Sequence, residues 1–187
     1  MASPTVHRLL PFLLLVHAPS IALPQEAATA ISYMRTVSVP LNAVQLFDKA
    51  AESWTWTFGK EPGAKLLIKD RDQGVIEATA RVNFRSEMLT MREESMGTVQ
   101  YHVTLQVHAG ECRTVVMELT HTGNRTTARG GIHLGLLTRA LWPSQKVHGM
   151  GRANVYRLYA DMKQQADTRI NALMQAFESR LRASVEP

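Results

Sequence analysis

Val99, Tyr101, Val103, Leu105 and Val107 occupy every second position of the run Thr98–His108, with polar residues between them. Side chains alternate across a strand, so this run has one apolar and one polar face. A strand of that kind belongs in an antiparallel sheet packed on one side and wet on the other. Arg113, Val115, Met117 and Leu119 repeat the pattern in Cys112–His121, and the two runs read as a hairpin. A three-residue loop, Ala109-Gly110-Glu111, would pair Val107 with Arg113, Leu105 with Val115, Val103 with Met117 and Tyr101 with Leu119. A slip of one residue would break this apolar matching, so that loop is the expectation.

Three further strands precede the hairpin. Ile76, Ala78, Ala80, Val82 and Phe84 share one face of Val75–Phe84, and Glu77, Thr79, Arg81 and Asn83 share the other. Lys65–Lys69 joins it through the turn signal Asp70-Arg71-Asp72-Gln73-Gly74. Val37 and Val39 mark a short strand over Arg35–Pro40. The period then changes. After Asn42, a favourable N-cap, Phe47, Ala50, Trp54 and Phe58 recur at helical spacing, and Gly59 fits the C′ position. Trp54 on that apolar stripe is expected to be core. From about Asn154 to Arg182, Val155, Tyr159, Met162, Ala166, Ile170, Leu173, Phe177 and Leu181 define a second helix, about 40 Å long at 1.5 Å per residue. Residues 85–97 read as a loop. The resulting class is α+β, in the order β-α-β-β-β-β-α: an antiparallel sheet of about five strands with two helices on one face.

The chain begins with His7-Arg8, the apolar run Leu9-Leu10-Pro11-Phe12-Leu13-Leu14-Leu15-Val16, and the small-residue exit Ser20-Ile21-Ala22. That is the pattern of a signal peptide cleaved near Ala22, and the run is too short to span a bilayer. Pro11 and Pro19 argue against a buried helix there. The expectation is export to the periplasm or beyond, with no transmembrane segment in the mature chain. Residues 23–34 read as a flexible lead-in and 35–183 as one domain.

Charge is unevenly spread. Residues 23–124 carry 10 Lys/Arg and 12 Asp/Glu, whereas residues 125–187 carry 10 Lys/Arg and only 4 Asp/Glu. No acid occurs from Leu119 through Ala160. The long segment 122–153 in that window holds Arg125, Arg129, Arg139, Lys146 and Arg152, together with Trp142. Leu134, Leu137, Leu141 and Trp142 in it suit a short helix that packs on the sheet edge or on a partner. A loop of this length is usually functional or disordered. These six side chains are therefore the candidate contacts for an anion or partner: an anionic polysaccharide, envelope lipid headgroups or another envelope protein. An exported protein does not ordinarily meet nucleic acid, and none is expected here.

Catalytic groupings are not evident. His102 and His108 lie roughly 20 Å apart along one strand at about 3.3 Å per residue, too far to share a metal. The expected hairpin sets His102 opposite Glu118 and His108 opposite Cys112. A Cys-His neighbour pair can activate a thiolate, but no orienting third group accompanies it. Cys112 is the sole cysteine, which excludes an internal disulfide. The glycines at 123, 130, 131 and 135 do not form a phosphate-binding fingerprint. No catalytic residue, metal or cofactor is expected.

Val37-Ser38-Val39 leading into Asn42–Gly59, the strand Gly74–Ala80, the hairpin Val99–Thr122 ending in Leu119-Thr120-His121, and the closing Ile170-Asn171-Ala172-Leu173 resemble the bacterial exported family called domain of unknown function 4468. The resemblance covers residues 35–183. It implies a TATA-binding-protein-like fold and export, and carries no catalytic residue with it. Fold does not imply function. The leading expectation is a non-enzymatic binding or interaction module in the cell envelope. The alternatives are a structural component of an envelope assembly and a hydrolase with a non-obvious site.

Overall fold

In a computed structural model, which describes residues 29–89, 93–127 and 130–183, the alternating run becomes the middle strand of an antiparallel sheet. In chain order the elements are β1 (Tyr33–Ser38), α1 (Ala43–Trp56), β2 (Lys65–Asp70), β3 (Val75–Phe84), β4 (Gly97–His108), β5 (Glu111–Gly123), β6 (Gly135–Leu136) and α2 (Arg152–Ala183). The strands lie in the order β1-β5-β4-β3-β2, and β6 pairs with β5 beyond the end of β1. The α+β class with its antiparallel sheet and two helices is as expected. Residues 1–28, which include the expected signal peptide, lie outside the described residues. β1 starts at Tyr33, two residues before the expected Arg35. Ile31 donates its N–H to Leu137 O and Arg139 to Thr29 O, so residues 29–31 are paired with the long loop.

The helices cover one face of the sheet. Ile76, Ala78 and Ala80 of β3 and Val99, Tyr101, Val103, Leu105 and Val107 of β4 point at them and are buried. α1 contributes Leu46, Phe47, Ala50 and Trp54, and α2 an apolar stripe from Val155 to Leu181. Phe58 ties the layers together, its ring 6.4 Å from that of Tyr101 and 6.2 Å from that of Phe177. Asn42 caps α1 as expected: its side chain accepts from Gln45 N, and its own N–H donates to Gln45 Oε1. The C-terminal expectation needs correcting. α1 tightens into a 3-10 turn at Phe58–Lys60, and Gly59 lies inside that turn against the Trp54 ring.

The hairpin differs from expectation, for an identifiable reason. Its loop has two residues, Ala109-Gly110, and His108 faces Glu111, Val107 faces Cys112 and Val103 faces Val116. Gly110 takes φ +80°, and its backbone is clamped to Val39 and Leu41. Farther on, the three residues Gln100–His102 of β4 oppose the four residues Met117–Thr120 of β5, which places a bulge there. Glu118 sits in it at φ +58°. The extra residue switches the phase of β5. Cys112, Thr114 and Val116 are buried before it, Leu119 and His121 after it. The expectation assumed one phase throughout, and so put Arg113, Val115 and Met117 on the wrong face.

Candidate functional site

The long segment 122–153 is fastened to the domain. Instead of a short helix, residues 135–136 form β6 against Thr120 and His121, because the edge of β5 there is not taken by β1. Leu134 and Leu137 are fully buried. Ile132 N donates to Glu94 O, Leu137 N to Leu119 O, and Thr138 N to the Tyr159 hydroxyl. Lys163 Nζ reaches Ala140 O at 2.6 Å. The apolar part of the loop thus seals the sheet edge.

The five candidate contacts among the described residues do not converge. Arg125 lines a hollow with Asn83–Arg85 and the ends of β4 and β5. Lys146 lines another with His133 and His148. Arg152 stacks over Trp142, 4.8 Å from the ring centre, and Tyr156 packs on the same ring. Arg139 is exposed. Arg129 lies outside the described residues.

The hairpin register changes the histidine neighbours too. His102 faces Met117, not Glu118, and its Nε2 lies 3.9 Å from a Glu77 carboxylate oxygen. His108 faces Glu111, not Cys112. Cys112 is buried on the inner face, where burial, with Glu111 adding to it, pushes its thiol up to about 12. Both burial and the raised pKa disfavour a thiolate at neutral pH. No group of three metal-ligating side chains occurs among the described residues.

A further concave site is one that sequence reasoning missed. β2 pairs with only the first half of β3, Val75–Thr79, leaving residues 80–84 paired with β4 on one side and without a strand on the other. Arg81 N is satisfied instead by Pro62 O. α2 passes over this uncovered half, and between them runs a groove of about 970 Å³. Val82, Phe84, Val99, Met162 and Ala166 give it an apolar floor.

Two acids of the groove are already committed. The Glu61 side chain is 5% exposed and forms a two-point ion pair with Arg169. Hydrogen bonding to Glu61 in turn raises the Arg169 pKa. Asp161 Oδ2 accepts from Ser86 Oγ at 2.7 Å, from Glu87 N at 2.9 Å and from Met88 N at 3.3 Å, while its Oδ1 accepts from Gln165. Behind Glu61 the Tyr101 hydroxyl is buried without a hydrogen-bond partner, and burial, with Glu61 adding to it, pushes its phenol well above the usual range. The cations at the mouth are less constrained. Lys60 lies over the Trp56 ring at 4.5 Å, and Arg157 is exposed. The lining holds no histidine or cysteine.

One signal in the sequence pointed here. Asp161 is a lone acid between Leu158 and Met162 on the buried stripe of α2. A buried carboxylate needs several donors. The donors come from the loop after β3, a distance of over 70 residues that no local pattern reveals.

The sheet with two helices on one face is an α+β architecture of the TBP-like kind, and the comparisons agree. Residues 33–122 match the family model described as a domain of unknown function (DUF4468) with TBP-like fold. The match runs from β1 to the end of β5 and stops short of the loop and α2, a narrower span than the 35–183 of the sequence resemblance. Among solved structures, a DUF4468 family protein from Bacteroides ovatus ATCC 8483 aligns at 14% identity and TM-score 0.51, over 79% of this chain and 86% of that one. A TBP-like protein from Parabacteroides distasonis ATCC 8503 aligns at 8% identity and TM-score 0.49, over 80% and 93%. No curated protein matches.

Proposed function

We propose that the protein is an exported, non-enzymatic binding module that takes its ligand in the groove between α2 and the uncovered half of β3. The observation that carries this reading is the division of labour in the groove. Its floor is apolar, and its buried acids are tied to structural donors. Such a site offers shape, apolar area and a few oriented polar groups, which is what small-molecule recognition requires. It offers no activated nucleophile and no paired free acid and base, which catalysis would require. Export rests on the basic, apolar and small-residue pattern of residues 1–22. Among the described residues no helix is long and apolar enough to cross a membrane.

Two measurements test this. The N-terminus of the mature protein, read by mass spectrometry, should be Leu23 or a close neighbour; an intact Met1 on cell-associated protein would overturn export. For the groove, the protein and an Ala160→Trp variant, which fills it, should be isolated under non-denaturing conditions from one envelope extract. Compounds released from the two would then be compared. A species retained by the wild type and lost by the variant is expected. Identical profiles would defeat the binding reading.

A further inference from the structure

We infer that residues 131–138 are a strap over the part of β5 that β1 leaves unpaired, latched by two histidines at neutral pH and released on acidification. The latch is reciprocal. His121 of β5 accepts at Nδ1 from Leu134 N of the strap at 3.3 Å. His133 of the strap accepts at Nδ1 from Gly123 N of β5 at 3.2 Å. Each neutral imidazole therefore carries its proton at Nε2, and protonation puts a second N–H at Nδ1, facing another donor. The same change in pH turns both bonds from attraction to repulsion.

The surroundings do not offset the added charge. Phe84 of β3 packs on the His121 ring, and Val99 of β4 and Gly135 of β6 are its sheet partners; none of these is charged. Its titratable neighbour is His133. The charged side chains lining the hollow at this end of β3 and β5 are two cations, Arg85 and Arg125. His133 shares its own hollow with Lys146, His148 and one acid, Glu94. Burial, with His133 adding to it, lowers the His121 pKa to about 4, so the closed strap resists the proton that the open strap would accept.

The strap is also a unit of its own. Its ladder, β6, has two residues. Beyond the latch it is held by Ile132 N on Glu94 O, Leu137 N on Leu119 O, Ile31 N on Leu137 O and Thr138 N on the Tyr159 hydroxyl. Buried Leu134 and Leu137 keep it shut while the histidines are neutral. β4, by contrast, is paired on both edges with β3 and β5. Short, sparsely bonded segments open at lower cost than central strands. Release frees the β5 edge at Thr120 and His121.

Hydrogen exchange of the full chain at pH 7 and pH 5, corrected for the intrinsic effect of pH on exchange, tests this. Opening of the strap should be about tenfold or more frequent at pH 5, because the open strap binds protons with the ordinary histidine affinity. The amides of β4 should stay better protected than those of the strap at both values. Asparagine can offer Oδ1 in place of Nδ1 and does not titrate, so His121→Asn/His133→Asn should open equally often at the two values. Should that variant not fold, the wild type decides: loss of protection at Leu134 N should track the titration of the His121 ring followed by NMR. Strap amides that exchange at the β4 rate would overturn the inference. So would strap opening that ignores pH, a full pH response in the asparagine variant, or loss of Leu134 protection at a pH where neither ring titrates.

Discussion

Lowering the pH from 7 to 5 should cost the fold about 2 kcal/mol through one residue, His121. Its side chain is 1% exposed, packs edge-on against Phe84 and accepts a hydrogen bond at Nδ1 from Leu134 N. Nε2 is buried without a partner. Burial, and to a lesser degree the neighbouring His133, lowers its pKa from 6.5 to about 4. The sign follows from proton counting. Between those values the unfolded chain binds a proton that the folded chain refuses, so stability is complete above pH 6.5 and falls as the pH drops toward 4. Protonation would also turn Nδ1 into a donor facing the Leu134 N–H, and so oppose the bond that holds the loop. Urea unfolding at pH 7 and pH 5 measures the effect. His121→Phe should lower stability at pH 7 by about 1–3 kcal/mol, since Leu134 N loses its acceptor, and should flatten the pH dependence. An equally steep pH dependence in that variant would place the titrating group elsewhere.

Trp54→Ala should be more damaging, by about 3–5 kcal/mol, in a fold whose total stability is expected to be about 5–15 kcal/mol. Trp54 is 7% exposed on the buried stripe of α1 and stacks against the 3-10 turn at Gly59. Its indole N–H is buried without a partner. This gives a second expectation. Trp54→Phe keeps most of the ring area and removes an unsatisfied donor, so its cost should stay near 1 kcal/mol. Thermal melts of both variants decide the matter. An unchanged melting temperature for Trp54→Ala would mean that the ring is not part of the core.

What was legible in the sequence was whatever repeats locally. The alternation in β3 and β4, the helical stripes of α1 and α2 and the Asn42 cap are each set by side chains a few residues apart. Apart from the local 3-10 turn at Gly59, the failures involve a partner far along the chain. The phase of β5 could not be read because a bulge at Glu118 makes both phases correct, one on either side of it. β6 depends on β1 ending early on β5, which leaves an edge for Gly135 and Leu136 to use. The groove needs β2 to pair with β3 only as far as Thr79, α2 to cross where that pairing stops, and Glu61 to meet Arg169 across 108 positions. The basic residues of 122–153 stood out in the sequence as a cluster of charge. In space the apolar residues among them determine the path of the loop, and the charges are left at separate places around it.

The pairing of β1 with β5 dictates an order of assembly. Arg35 opposes Thr114 and reaches Asn171 and Glu178 on α2, so the first strand has no partner until the last elements exist. A chain delivered from its N-terminus would carry β1 unpaired through most of its emergence, while β2, β3 and β4 could already zip together through their short connections. Closing a loop of nearly 80 residues comes late and slowly compared with such hairpins. The leading segment therefore stays extended until the C-terminal helix arrives to fix it. On the export route proposed above, threading before folding would suit a sheet whose first strand is among the last to lock.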